Sequence, residues 1–413
     1  MHKNIIMLGT FDTKGREFKY LYDELQKRGV DVTTMNAGVM GSTGLFPVHI
    51  SAEEVALAGG GELSALRSRG DRGAAMKVMA KGAQELVKRL FGEGRLDGII
   101  GMGGGGGTSI VSTAMQGLPV GVPKVCVTTL ASGDTSPYVA TKDILLFPSI
   151  VDICGINTFS RTILSRAAGA VCGMAAQEVE VSKEDRPIIF LSMFGNSTQC
   201  VEQCMELLDE AGYDTMVFHA TGTGGRAMEE LIRQGYPKAV LDVTTTEWAD
   251  EVGGGVLSAG PERLDGAGAM GIPQLIVPGC VDMINFGPVD TVPAKFKDGS
   301  RILYEWNPMV TLVRTDREDN RKMGEIFARK ANAAKGKVGF AFPLRGVSIL
   351  DGEGQLFQDW ETDRLLFDEI KAGLEERISV REVDANINDM AFSRAIVQML
   401  LEMLDGSKDG ARL

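Results

Sequence analysis

The chain is written in short apolar runs, each closed by glycine or small polar residues and followed by a stretch with helical spacing. Asn4–Gly9 is apolar almost throughout, which predicts a parallel strand buried on both faces. Thr10-Phe11-Asp12-Thr13 follows as a loop. Phe18, Leu21, Tyr22 and Leu25 then recur at helical spacing within Lys14–Arg28, which Gly29 ends. Val30–Met35 begins a second strand. From Ala37 to Gly82 turn signals and an amphipathic pattern predict a helical excursion with breaks at Gly70 and Gly73.

The strongest punctuation lies in Leu96–Ser109, LDGIIGMGGGGGTS. Here the apolar run Gly98–Met102 meets five glycines, Gly103 to Gly107, then Thr108-Ser109 and a helix-compatible Ile110–Gln116. Strand Lys124–Thr129 leads into the hydroxyl-rich turn Leu130–Tyr138. Asp143–Phe147 reads as a strand and Asn157–Glu178 as a long helix. Val181–Pro187 is charged and closed by proline, a linker signal.

After the linker the pattern restarts. Ile188–Leu191 matches Ile5–Leu8, and at the same offset Leu208 matches Leu25, Gly212 matches Gly29 and Asp214 matches Asp31. Further strands are read at Asp214–Phe218, Ala239–Val243, Ile272–Val277, Val338–Phe342 and Ile378–Val383. Helices are read at Arg226–Gln234, Thr315–Ala334, Asp363–Arg377 and Asp389–Leu404, with the last residues Gly406–Leu413 frayed. Alternating strands and helices predict an α/β fold of two Rossmann-like domains, 1–182 and 183–413, with mainly parallel sheets and helices on both faces. Duplication of one unit explains the offset; so does the general likeness of βαβ units.

Composition narrows the function classes. The 413 residues suffice for two or three domains. A net charge of −12 argues against nucleic acid and anionic membranes as partners. The six cysteines form no C-x-x-C pair, which suggests reduced thiols and a cytoplasmic setting. No leader is apparent in the first residues, and no apolar run approaches the roughly 20 residues of a membrane span.

Glycine lets a ligand approach the backbone, and free amides at a helix start favour an anion, so the 103–109 turn reads as a phosphate cradle or as a tight ligand-free turn. It is not a P-loop, because Gly107 rather than lysine precedes Thr108. The dinucleotide pattern met by Gly101, Gly103 and Gly106 lacks the acidic residue expected after the next strand, which ends Thr128-Thr129. At the first strand end, Asp12 or Thr13 caps the helix, or Thr10, Thr13 and Lys14 grip a phosphate while Asp12 faces a cation. Arg67, Arg69 and Arg72 face solvent, meet another subunit, or reach the phosphates. With Thr128–Asp134, three strand ends of one sheet edge carry such residues, and ligands bind at that edge in open parallel sheets.

In the second half, the turn from His219 through Arg226 is a second anion nest or a plain turn. His219 is placed for acid–base work or for a structural hydrogen bond. Glu247, Asp282 and Arg345 also stand at strand ends, and Cys280 is a nucleophile with His219 as partner or a plain buried thiol. Cys200 and Cys204 share one helix face, read as buried and apolar.

GTFDTKG at Gly9–Gly15, the glycine run into Thr108, VPKVCVTTLASGDTSPYV at Val122–Val139, VDICGIN at Val151–Asn157 and PLRGVS at Pro343–Ser348 carry a resemblance that spans essentially the whole chain. The chain resembles an uncharacterised protein family of bacteria, fungi and plants whose plant member is the tomato mosaic virus resistance protein. The resemblance implies an ATP-binding amino-terminal domain, a second α/β domain, and a homodimer or higher homo-oligomer. Carried over by motif, ATP meets Thr10, Asp12, Thr13 and Lys14, the loop Gly103, Gly104, Gly105, Gly106, Gly107 and Thr108, and Thr129, Ser132, Gly133 and Asp134. Asp12 is the one residue expected to face Mg2+. Gly105 stands where the family pattern leads one to expect Ser, which removes a hydroxyl and keeps the backbone cradle. Inhibition of viral replication does not transfer.

Two function classes follow. One is a metabolic enzyme that uses ATP on a small acidic or phosphorylated substrate between the domains, with Lys14 stabilising transferred charge and His219, Glu247 or Arg345 handling a small organic acid. The other is a sensor or scaffold that binds ATP without chemistry. An ATP-independent hydrolase or lyase built on His219 and Cys280 ranks behind both.

Overall fold

The computed structural model describes residues 3–178 and 185–405. The chain divides into two compact units, Met1–Val181 and Ser182–Leu413. Residues 181–184 of the linker and the frayed end at 406–413 lie outside the described residues.

Unit 1 holds strands β1 (Asn4–Gly9), β2 (Asp31–Asn36), β3 (Gly98–Gly103), β4 (Lys124–Thr128) and β5 (Leu145–Pro148). Its helices are α1 (Gly15–Gln26), α2 (Ala52–Ala58), α3 (Leu63–Arg69), α4 (Arg72–Gly92), α5 (Gly105–Gln116), α6 (Ser136–Val139) and α7 (Thr158–Ala176). All strand pairs are parallel, in the order β2-β1-β3-β4-β5. Strand side chains alternate between faces, so the apolar runs feed two cores. Ile5 and Met7 pack with Phe18, Leu21, Leu164 and Val171 of α1 and α7. Ile6 and Leu8 pack with Leu86, Val111 and Met115 of α4 and α5. That two-sided burial is why β1 and β3 are apolar throughout.

Unit 2 holds β6 (Ile188–Met193), β7 (Asp214–His219), β8 (Ala239–Thr244), β9 (Gln274–Gly279), β10 (Met283–Phe286), β11 (Leu303–Asn307), β12 (Val310–Arg314), β13 (Val338–Pro343) and β14 (Ser379–Val383). Its helices are α8 (Thr198–Glu210), α9 (Thr223–Arg233), α10 (Glu247–Gly253), α11 (Gly266–Met270), α12 (Arg317–Ala333), α13 (Trp360–Gly373) and α14 (Met390–Asp405). The main sheet runs β14-β13-β9-β8-β6-β7, again parallel. From β7 onward this repeats the order of unit 1 and adds a sixth strand. The pairs Asn4↔Asp31 and Ile188↔Asp214 open the first two strands of each unit. The two sheets share a topology, but at the sequence offset Ile188 matches Ile5, which pairs Val32, so the register of β6 on β7 differs by one residue from that of β1 on β2.

Three differences from the sequence reading have physical causes. The glycines 105–107 are not loop: they form the first turn of α5. The excursion 37–82 resolves into α2, α3 and the start of α4, with Gly70 in the left-handed region at φ 66° between α3 and Asp71. Between β9 and β13 unit 2 carries an antiparallel sheet, β10-β12-β11, which periodicity alone does not reveal.

Candidate functional site

In each unit, the first strand connects to one neighbour and the third strand returns on its other side. The chain thus parts above the carboxyl ends of β1 and β3 in unit 1, where open sheets bind ligands. A cavity of about 600 Å³ lies there. It is lined by the β1 turn (Thr10, Asp12, Thr13, Lys14), the end of β2 (Ala37 to Met40), the α3–α4 elbow (Leu66, Arg67, Gly70, Asp71, Arg72, Ala75, Met76, Met79), the glycines 103–107 with Ile110, and Asp152.

The floor is main chain. Gly104 is the residue before α5 and offers no side-chain cap. The first helical bond runs from Thr108 N to Gly104 O at 2.8 Å, and the amides of Gly105, Gly106 and Gly107 have no partner among the described residues. Gly103 makes the turn possible, since a Cβ there would lie 2.5 Å from Gly107 Cα. Thr108 is buried beneath the turn. Its Oγ1 donates to Gly103 O at 3.0 Å and lies 2.7 Å from Thr128 Oγ1. It shapes the cradle from behind and does not line the cavity.

The walls carry charges of both signs. Arg72, the first residue of α4, has a guanidinium with no partner among the described residues, and a Cβ on Gly106 would lie 3.5 Å from its Nη2. Arg67 Nε donates to Val39 O at 2.5 Å. Lys14 Nζ donates to Ile153 O, next to Asp152. Asp71 caps α4 by accepting from Ala74 N at 3.0 Å. Asp12 is no helix cap: α1 starts after Lys14 without a side-chain cap. Asp12 Oδ2 accepts from Met40 N at 2.9 Å, while Oδ1 is buried and has no partner. Gly38 gives that carboxylate room, since a Cβ there would lie 2.4 Å from Oδ1. Thr10 and Thr13 hydroxyls lie 3.1 Å apart. The opposite wall, with Leu66, Met76, Met79 and Ile110, is apolar.

The third predicted loop does not reach this cavity. Thr129, Ser132, Gly133 and Asp134 are absent from its lining. Thr129 N bonds Gly103 O at 3.4 Å, so β4 braces the turn. Asp134 Oδ1 accepts from Ser136 N and Oγ at 3.0 and 2.6 Å, which holds its carboxyl below the usual range and fixes the start of α6. Asp152, Gly38 and the methionines are wall residues that sequence reasoning passed over. Asp152 sits inside the VDICGIN string that was read for resemblance only.

In unit 2 the predicted Glu247 and Arg345 each have partners of their own within the unit. Glu247 Oε1 accepts from Gly222 N at 2.7 Å and Gly225 N at 3.1 Å, so the turn expected to nest an anion nests the protein's own carboxylate. Glu247 Oε2 accepts from Arg263 Nε at 2.7 Å, and Arg263 also grips Asp242 at 2.7 and 2.5 Å. All three are essentially inaccessible. Arg345 is exposed, paired with Asp384 at 2.6 Å and lying over the Trp360 ring at 5.5 Å. His219 is exposed at the end of edge strand β7, its ring stacked on Phe194 at 5.7 Å. No hydrogen bond or ion pair among the described residues joins His219, Glu247 and Arg345. Cys280 is fully buried, and burial together with Asp282 pushes its thiol well up, which opposes a nucleophilic thiolate. Cys200 and Cys204 are buried on α8, as their spacing predicts, and all six cysteines are free. Among the described residues no helix is long and apolar enough to cross a membrane.

Two parallel-sheet α/β units, one with an open strand-end cavity floored by helix amides, define the class of protein. The chain belongs to the family described as "Uncharacterised protein family (UPF0261)": residues 3–180 match its N-terminal domain and 186–404 its C-terminal domain. It is 50% identical to a UPF0261 protein of Clostridium tetani, over 98% of this chain and 100% of that one. It is 43% identical to the ToMV resistance protein Tm-1(GCR237) of Solanum lycopersicum over 82% of this chain, and the match spans 45% of the tomato protein. Among solved structures, a UDP-N-acetylglucosamine 2-epimerase from Rickettsia bellii aligns at 10% identity and a TM-score of 0.23, over 67% of this chain and 78% of that one. A likeness that distant says nothing of a ligand.

Proposed function

We propose that unit 1 binds a nucleotide through its phosphates, with ATP as the expected one, and that binding is the primary activity of the protein. One observation carries this reading. The unpaired guanidinium of Arg72 stands over the uncapped, positively polarised start of α5, and two positive features facing each other call for an anion between them. The amides of Gly105, Gly106 and Gly107 and Arg72 hold phosphate oxygens. Lys14 reaches the same anion by leaving its carbonyl partner. The orphaned Oδ1 of Asp12 suits a divalent cation that accompanies the phosphates, because it is a buried acceptor without a donor. The apolar wall of Leu66, Met76 and Met79 suits a base.

Of the two function classes, the sensor or scaffold is favoured over the enzyme. Glu247 is buried and committed to Arg263, which leaves it unavailable to a small acid. Calorimetric titration of the full chain with ATP, ADP and AMP, with and without magnesium, tests the reading. Arg72→Ala should weaken phosphate-bearing ligands by about 10- to 100-fold, the worth of a hydrogen bond to a charged group. An unchanged affinity removes the anion site from α5.

A further inference from the structure

Unit 2 contains a buried acidic group that plays no part in the reading above. Asp282, Asp351 and Asp363 are each 2% exposed or less, and Arg314 is the cation they share. One nitrogen, Arg314 Nη2, contacts both Asp351 Oδ1 at 3.4 Å and Asp363 Oδ1 at 2.8 Å. Two carboxylates on one nitrogen stand close together in a dry interior. Asp363 Oδ2 and Asp282 Oδ1 are buried without partners. Three carboxylates against one guanidinium leave the group over-supplied with negative charge. No three His, Cys, Asp or Glu side chains among the described residues are grouped to hold a metal.

The group fastens the segment Gly346–Phe357, which runs from β13 towards α13. Asp351 accepts from Val347 N at 2.9 Å and Asp359 N at 3.2 Å, and its carbonyl accepts from Trp360 Nε1 at 3.0 Å. Ser348 Oγ accepts from Asp351 N and donates to Asp282 Oδ2 at 2.7 Å. Arg314 Nε donates to Phe357 O at 2.8 Å. So fastened, the segment bonds to the strand ends: Cys280 N to Val347 O at 2.9 Å, and Ile349 N to Asn196 O at 3.2 Å.

We propose that Asp351 and Asp363 share one proton at neutral pH, and that this proton is a latch holding the 346–357 strap over the strand ends of unit 2. The orphaned Oδ2 of Asp363, a buried acceptor without a donor, is the oxygen that accepts the hydrogen bond. The other charged or titratable groups that face the pair are Arg314 from β12, and Asp282 and Cys280 from the turn after β9. At the start of α12, Asp316 and Asp319 pair with Arg301 from the segment before β11, while Glu353, Asp359 and Arg345 at the rim are exposed. Burial, then the charge of Asp363 and its hydrogen bond, push Asp351 up to about 10. Loss of the proton to solvent hydroxide leaves two carboxylates opposed beside one arginine, and the strap is released.

The test uses the full chain. Infrared spectra at neutral pH should show the carbonyl stretch of a buried protonated carboxyl that Asp351→Asn abolishes. Asp363→Asn is the second variant; it should also remove the band, because Asp351 then ionises beside Arg314. Peptide-resolved hydrogen exchange, corrected for intrinsic rates, should show the strap losing about tenfold protection per pH unit above about 10 in the wild type. In Asp351→Asn the strap should stay protected. A neutral-pH spectrum without that band overturns the proposal, as does strap exchange that is identical in wild type and Asp351→Asn.

Discussion

The two units share a strand order and differ in what fills the place where it reverses. In unit 1 the strand ends after β1 and β3 open into a cavity, and the first amides of α5 are bare. In unit 2 the turn before α9 is filled by Glu247, the strand ends are roofed by the 346–357 strap, and the inserted sheet is tied to α10 through Asn285, whose N and Nδ2 donate to Asp250 at 2.7 and 3.0 Å. One topology thus leaves an open cavity in one unit and a filled strand-end crossover in the other. A polar residue at a strand end is therefore weak evidence of a ligand until its partners are known.

The comparison breaks most easily at Arg263. Arg263→Ala leaves Asp242, Glu247 and Glu229 buried without their cation and should cost unit 2 about 3–5 kcal/mol, as for other broken buried pairs. All three tryptophans, Trp248, Trp306 and Trp360, lie in unit 2, so urea unfolding followed by tryptophan fluorescence reads that unit selectively. An unaltered midpoint would show that the network is not what fills the switch point.

A smaller effect separates two glycines of unit 1. Gly103→Ala places a methyl against backbone and should destabilise by about 1–3 kcal/mol, the usual range for overpacking. Gly105→Ala meets nothing within 4 Å and should fold normally. Equal thermal stabilities for the two variants would contradict the geometry of the turn.

The smallest expected effect is one of sign with pH. In unit 1, hydrogen bonds from Lys27, Arg28 and Ser165 hold Glu24 down at about 2, from an ordinary 4.5. Its contribution is complete above about 4.5 and fades as pH falls towards 2. In unit 2, burial raises Asp250 from 3.8 to about 7. The folded state then holds a proton the unfolded chain releases, so that contribution to stability falls as pH rises from about 4 to 7 and is level above. Hydrogen-exchange protection of α1 peptides should rise from about pH 2 to about 4.5 and then level, whereas the stability of unit 2 read by tryptophan fluorescence should fall from about pH 4 to 7. Movement in the same direction would refute the contrast.

Much of the fold was legible because strands buried on both faces must be apolar and their turns must be permissive. Hence β1, β3, β6 and β8 could be read directly, as could the repeated offset. The cavity was half legible. The β1 turn and the glycine run announce themselves, but Arg72 and Asp152 reach them from distant parts of the chain. The β4 loop misled because its hydroxyls serve the turn and α6, and composition does not distinguish a group that caps from one that binds. Glu247 misled for the same reason: its partner Arg263 stands in an unremarkable turn. The sheet β10-β12-β11 was missed because β10 follows β9 within one buried stretch and β11, LYEWN, is largely exposed and carries no apolar run.

A cradle made of backbone has no side chain to lose by mutation, so the anion grip proposed for it is largely indifferent to sequence drift elsewhere in the turn. Selectivity must then reside in the α3–α4 elbow, where long, supple methionines and arginines hang over the bowl on either side of Gly70. On the proposed reading, substitutions in that overhang change what is recognised while the bowl beneath stays as it is.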